Sequence, residues 1–191
     1  MLNSSARSLR DIYLIGFSGS GKTVVGRLLA TNLSSVFYDT DQMIADREGS
    51  SIAEIFDIRG EEYFRRVESA VIRELVENKA DDKVVALGGG TFENEFNRKL
   101  LLNSGLVIFL SCSVRTIYSR LKEGPDRPLL RVRPKDGETT RQARVRRIKQ
   151  MLSQRSSHYA LADIRLSTTQ RTPQMAAMEL SERIRRLRGK V

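Results

Sequence analysis

The 191-residue chain contains no tryptophan, one cysteine, one histidine and four prolines. A lone cysteine, Cys112, cannot close an internal disulfide, which excludes a disulfide-stapled scaffold and points to a reducing compartment, with a cytoplasmic location expected. With His158 as the single histidine, the Cys/His sets that hold structural zinc are missing as well. Long apolar runs are also lacking. The stretch Leu106 to Leu110 falls far short of the roughly 18 residues of a membrane span, so no membrane partner is expected. The composition that remains, 40% hydrophobic and 29% charged, lies outside the regime of disordered chains. A chain of this length favours one domain. Residues 1–10 have no apolar core and read as a flexible N-terminal tail, leaving 11–191 as a single domain.

The net charge of +10 is unevenly spread: residues 141–191 carry 13 of the 33 basic side chains and only 3 of the 23 acidic ones. Such a segment could grip nucleic acid or an acidic membrane, or could hold anionic ligands near a site. It lacks interleaved aromatics apart from Tyr159, which disfavours single-stranded nucleic acid.

Five short apolar runs, at 12–15, 36–38, 84–87, 106–110 and 164–166, are bounded by Gly, Asp or Ser and read as strands. Helical spacing fills 22–33, 52–79, 94–103, 113–122, 140–159 and 173–188. The alternation predicts an α/β three-layer sandwich with a five-stranded parallel sheet. Between 122 and 140 the rhythm breaks. Gly124, Pro125, Pro128, Pro134 and Gly137 lie there among charges, as in a mobile lid or an ordinary surface connection.

Gly16-Phe17-Ser18-Gly19-Ser20-Gly21-Lys22-Thr23 follows the first strand and opens a helix, the context that the pattern G-x-x-x-x-G-K-[ST] requires. Glycines let the backbone wrap phosphate oxygens, and amides at the helix start face negative charge. Lys22 adds a cation for the β- and γ-phosphates, and the Thr23 hydroxyl suits Mg2+. The motif specifies a nucleotide but not the second substrate.

Asp39 and Asp41 follow the second apolar run. In an extended segment they would share one side and face the crevice where ligands of open α/β sheets collect, or one of them could cap the next helix. On the helix from about Glu61 to Lys79, the residues Phe64, Val71, Ile72, Leu75 and Val76 form an apolar arc. Arg65 and Glu68 fall inside or beside that arc, whereas Arg66 and Arg73 point away. A charge on a buried flank needs a partner, and residues three apart can supply it; the pair could be structural, or could brace an arginine for a substrate carboxylate. Gly88-Gly89-Gly90 ends the third strand, either as a flexible turn or to allow close backbone approach to a ligand.

Together these segments resemble shikimate kinase. The resemblance rests on the phosphate loop at 16–23, Phe-Tyr-Asp-Thr-Asp at 37–41, Ser-Ile-Ala-Glu-Ile-Phe at 51–56, Phe-Arg-Arg-Val-Glu at 64–68, the glycine triplet at 88–90, and Arg-Pro-Leu-Leu at 127–130. It implies a P-loop kinase fold like that of nucleoside monophosphate kinases, with a mobile lid near 122–140. The implied reaction is ATP-dependent phosphorylation of the 3-hydroxyl of shikimate, in the aromatic amino-acid pathway. The carried-over roles are Gly19, Ser20, Gly21, Lys22 and Thr23 around the phosphates, with Arg120 and Arg171 near the adenine. Mg2+ would be held by Thr23 and, through water, by Asp39. Asp41 would be the base, and Arg65, Gly89, Gly90 and Arg155 would join it in binding shikimate. Arg127 would reach the transferring phosphate. The expected partners are shikimate and ATP, with a monomer and no nucleic acid. A gluconate-type kinase is the alternative enzyme, and a nucleotide-regulated nucleic-acid-binding module the alternative class. Two positions depart from the family pattern: Ser157 stands where Arg-x-Pro-x-Tyr has proline, and Ala45 where Glu is frequent. His158 and Cys112 read as packing residues rather than as base or nucleophile.

Overall fold

A computed structural model describes residues 9–121 and 131–189. The five apolar runs form strands β1 (Ile12–Ile15), β2 (Val36–Asp39), β3 (Lys83–Ala86), β4 (Leu106–Ser111) and β5 (Ile164–Ser167). They make one parallel sheet in the order β2-β3-β1-β4-β5. Every residue of β1 is buried, because a central parallel strand is covered on both faces. Its side chains alternate. Ile12 and Leu14 pack with Leu29, Leu180 and Ile184 on one face, while Tyr13 and Ile15 pack with Phe64, Ile72 and Phe109 on the other.

Among the described residues the helices are α1 (Lys22–Leu33), α2 (Thr40–Glu48), α3 (Ile52–Glu77), α4 (Glu95–Ser104), α5 (Val114–Leu121), α6 (Thr140–Tyr159) and α7 (Pro173–Arg188). Six match the stretches read from periodicity. The seventh, α2, has only Met43 and Ile44 as large apolar residues and showed no helical stripe. It corrects the extended reading of Asp39 to Asp41. The Asp39 carboxylate accepts from the amides of Asp41 (3.1 Å) and Gln42 (3.4 Å), so the chain turns into a helix directly after β2.

The stretch read as one helix over 52–79 is also interrupted. Gly60 adopts φ 81° and ψ 168°, and the bend sets the Phe56 ring 4.7 Å from that of Phe64.

Charges outside the site are mostly absorbed by the chain itself. Lys83, fully buried at the N-terminal end of the sheet, pairs with Asp11 at 3.1 Å. At the end of α7, Arg183 pairs with Glu179, Arg185 donates to the Asn32 carbonyl, and Arg188 donates to the carbonyls of Leu9 and Arg10. Basic residues there also complement the helix dipole. Arg10 itself pairs with Asp82. Of the helices in the described residues, none is long and apolar enough to cross a membrane.

Candidate active site

The C-terminal ends of β1, β2, β3 and β5 open onto one crevice, the place where a parallel sheet's neighbouring crossovers diverge. After β1 the chain wraps through Gly16, Gly19 and Gly21, all at positive φ. At Gly16 a Cβ would stand 2.5 Å from the Leu110 carbonyl oxygen, so only glycine fits between loop and sheet. Gly21 precedes α1 in the left-handed region and offers no side-chain cap, which leaves the first amides of α1 directed at the crevice for an anion. Lys22 is buried, and its Nζ donates to the carbonyls of Gly16 (2.8 Å) and Phe17 (3.2 Å), which fixes the ammonium across the loop. Ser20 is fully buried, and its carbonyl accepts from the Thr168 hydroxyl at 2.8 Å.

Thr23 Oγ1 donates to Asp39 Oδ2 at 2.7 Å, while the other oxygen of Asp39 caps α2. A hydroxyl and a carboxylate side by side at the mouth of a phosphate loop form a hard, all-oxygen donor pair. That chemistry fits Mg2+, which takes one or two protein oxygens and fills its remaining positions with water and phosphate.

The crevice holds about 370 Å3. On its far side Arg120 donates to the carbonyls of Gly19 (3.0 Å) and Thr168 (3.4 Å), and Arg171 is braced by Glu179 (2.8 Å) and the Ser167 carbonyl (2.9 Å). Both line the cavity with Thr172 and Pro173. A second, narrower cavity of about 60 Å3 continues from it, walled by Phe17, Ile52, Phe56 and Phe64, with Asp41, Arg65, Glu68 and Arg155 as its charged groups. Ser18, Asp41 and Gly89 line both cavities, so Asp41 stands where the two meet.

Arg65 is held by Glu68 at 2.8 Å and by Glu61 at 3.1 Å. Burial alone would lower its pKa; the charge of Glu68, with the hydrogen bonds Arg65 donates to both acids, outweighs that and raises it. Glu68 is fully buried, and burial pushes its carboxyl up against the opposing pull of Arg65 and of the Thr91 hydroxyl, which donates at 2.6 Å. Arg155 is 8% exposed, donates to the Gly89 carbonyl at 2.7 Å and lies 5.5 Å from the centre of the Phe17 ring. No carboxylate among the described residues stands within ion-pair distance of it. Ser157 is exposed, and α6 runs through it unbroken to Tyr159, so Arg155 reaches the cavity wall without a proline nearby.

The glycine triplet is a close-approach device. A Cβ at Gly88 would stand 2.7 Å from Asp41 Oδ1, one at Gly89 2.7 Å from Ser18 Oγ, and one at Gly90 2.9 Å from Arg65 Nη2. Sequence reasoning missed Gly88 as a site residue, and missed the apolar wall of Phe17, Ile52 and Phe56. The match Ser-Ile-Ala-Glu-Ile-Phe carried that wall's signal without a role attached. Arg127 and residues 122–130 of the expected lid lie outside the described residues.

A sequence model of shikimate kinase matches residues 18–185. The chain belongs to the shikimate kinase family. A shikimate kinase from a Sulfurihydrogenibium species is 38% identical over 93% of this chain and 99% of its own length, and one from Persephonella marina is 38% identical over 93% and 100%. Among solved structures, a shikimate kinase from Acinetobacter baumannii in complex with shikimate superposes with a TM-score of 0.80 at 32% identity, covering 96% of this chain and 95% of that one. The Aquifex aeolicus shikimate kinase gives 0.72 at 32% identity over 94% and 97%. This membership brings the P-loop kinase fold with it, and accounts for a phosphate loop that opens onto a second, arginine-walled cavity.

Proposed function

We propose that the chain phosphorylates the 3-hydroxyl of shikimate with ATP, as one domain acting as a monomer in the cytoplasm. The observation that carries the acceptor assignment is the second cavity. Its two arginines face it from different elements, one saturated by acids and one, Arg155, buried with no acid at ion-pair distance among the described residues. A buried guanidinium in that condition is costly unless a ligand supplies the anion, and a small acid does so. Arg65 and Arg155 grip the carboxylate, while the amides of Gly89 and Gly90 and the carboxylate of Asp41 take the ring hydroxyls.

ATP lies along the loop from Gly19 to Thr23, with its base between Arg120 and Arg171. Thr23 and, through water, Asp39 would hold Mg2+, which would supply positive charge to offset that of the phosphates. Asp41 accepts the proton of the 3-hydroxyl as its oxygen attacks the γ-phosphorus and the bond to ADP breaks. Lys22 stabilises the charge that grows on the phosphates. Arg127 is assigned to the transferring phosphate by the family resemblance.

The test is ADP release by purified protein with ATP and Mg2+, comparing shikimate, gluconate, quinate and no acceptor. Turnover dependent on shikimate is expected. Equal release without any acceptor, or preference for gluconate, overturns the reading.

A further inference from the structure

An acid that shares a cavity with Arg155 is engaged by another side chain. Glu93 ends the 3-10 turn Thr91–Glu93, three residues after Gly90, and lines with Arg65 and Arg155 an open cavity of about 430 Å3 beside the acceptor pocket. Its Oε2 is bonded to Nδ1 of His158 at 3.1 Å, and its Oε1 is buried with no hydrogen-bond partner among the described residues. His158 lies three residues after Arg155 on α6, and therefore on the same flank of the helix. Burial pushes the Tyr159 phenol up, Arg155 opposes that and Glu93 adds to it, so both charges act on one hydroxyl.

A carboxylate within reach of Arg155 competes with the carboxylate of the substrate. It presents the same charge to the same planar fork, and as a tethered group its effective concentration exceeds that of any free acid. We infer that His158 is a positioning residue whose ring holds the Glu93 carboxylate away from Arg155, keeping that guanidinium open for the acceptor. The inference rests on the assignment of Arg155 to the shikimate carboxylate.

A set of variants tests it. In His158→Leu the hold is lost, and the KM for shikimate should rise roughly three- to fivefold, the scale of a partly exposed ion pair, with kcat and the KM for ATP unchanged. His158→Gln keeps a donor and should stay near the parental KM. Glu93→Gln combined with His158→Leu removes the competitor and should bring KM back to within about twofold of the parent. A parental KM in His158→Leu overturns the inference, as does a double variant as impaired as the single. Simple loosening of the end of α6 would not be repaired by the second change. Arg155→Leu measured alongside separates the two levels. If it leaves the shikimate KM unchanged, the carboxylate assignment fails and this inference with it. If it raises KM while His158→Leu does not, only the role of His158 is overturned.

Discussion

Gly88→Ala should disable turnover while leaving the fold in place. The backbone of Gly88 is not in the left-handed region, so alanine meets no strain there, and it even restricts the unfolded chain by about 0.4–1 kcal/mol in favour of folding. The cost arises from contact. The new Cβ would stand 2.7 Å from Asp41 Oδ1 and 3.0 Å from both Glu68 Oε1 and Thr91 Oγ1. Glu68 and Thr91 are fully buried and bonded to each other at 2.6 Å, so they cannot retreat. Asp41 lines open cavity and can. Its oxygen must withdraw by roughly 0.7 Å to restore an ordinary contact. A misplacement of that order at a reacting group costs about 100-fold in rate, whereas overpacking costs about 1–3 kcal/mol, or roughly 2–12 °C in Tm for a chain of this size. The assay is coupled ADP release at saturating ATP with shikimate varied, alongside thermal unfolding followed by circular dichroism. A kcat within twofold of the parent in a folded Gly88→Ala protein would refute the placement of Asp41 against the triplet.

Other substitutions probe the remaining groups. Asp41→Asn should lower kcat by about 100- to 10,000-fold with Tm unchanged, and full activity would eliminate Asp41 as the base. Asp39 has two duties that substitution separates: Asp39→Asn keeps a good cap and should hold its Tm while demanding more Mg2+, whereas Asp39→Ala should lose about 1 kcal/mol in urea unfolding as well. Arg65→Ala should raise the shikimate KM and cost about 3 kcal/mol of stability near neutral pH, because it strands the buried Glu68. Glu68 already has a raised pKa from burial, so the folded state binds its proton more tightly than the unfolded state, and stability falls as pH rises from the ordinary value of 4.5 through the raised one. Without Arg65 that rise is larger. The urea midpoint deficit of Arg65→Ala should therefore be smaller at about pH 5 than at about pH 8, and a deficit independent of pH would contradict the argument.

Much of the sheet was legible because its strands are buried on both faces, and continuous apolar runs such as Ile12 to Ile15 stand out against polar turns. The phosphate loop was legible because Lys22 and Thr23 after its last glycine serve no turn requirement. Helix α2 was not, since its formation depends on the Asp39 cap and on tertiary contact rather than on an apolar stripe. The ion pair of Arg65 with Glu68 followed from helical phase, but the burial of Arg155 did not, because α6 is rich in arginine and periodicity does not say which one turns inward. The close approach at the triplet was open as a possibility; that it is Gly88 that faces Asp41 needed the three-dimensional pairing of two neighbouring strands, β2 and β3. The basic C-terminal quarter divides in a way that composition hides, with Arg155 and Arg171 lining cavities and the arginines of α7 bonded to the chain's own carbonyls and acids.

Acceptor recognition turns on a carboxylate read by Arg65 and Arg155, and the most direct measurement replaces that carboxylate and nothing else. ADP release should be compared for shikimate and its methyl ester, which keeps every ring hydroxyl and loses the charge. Leaving two charged donors without their anion costs about 2–5 kcal/mol, so kcat/KM for the ester should fall by roughly 30- to 5,000-fold. An ester phosphorylated with a kcat/KM within a few fold of that for shikimate would contradict the carboxylate clamp.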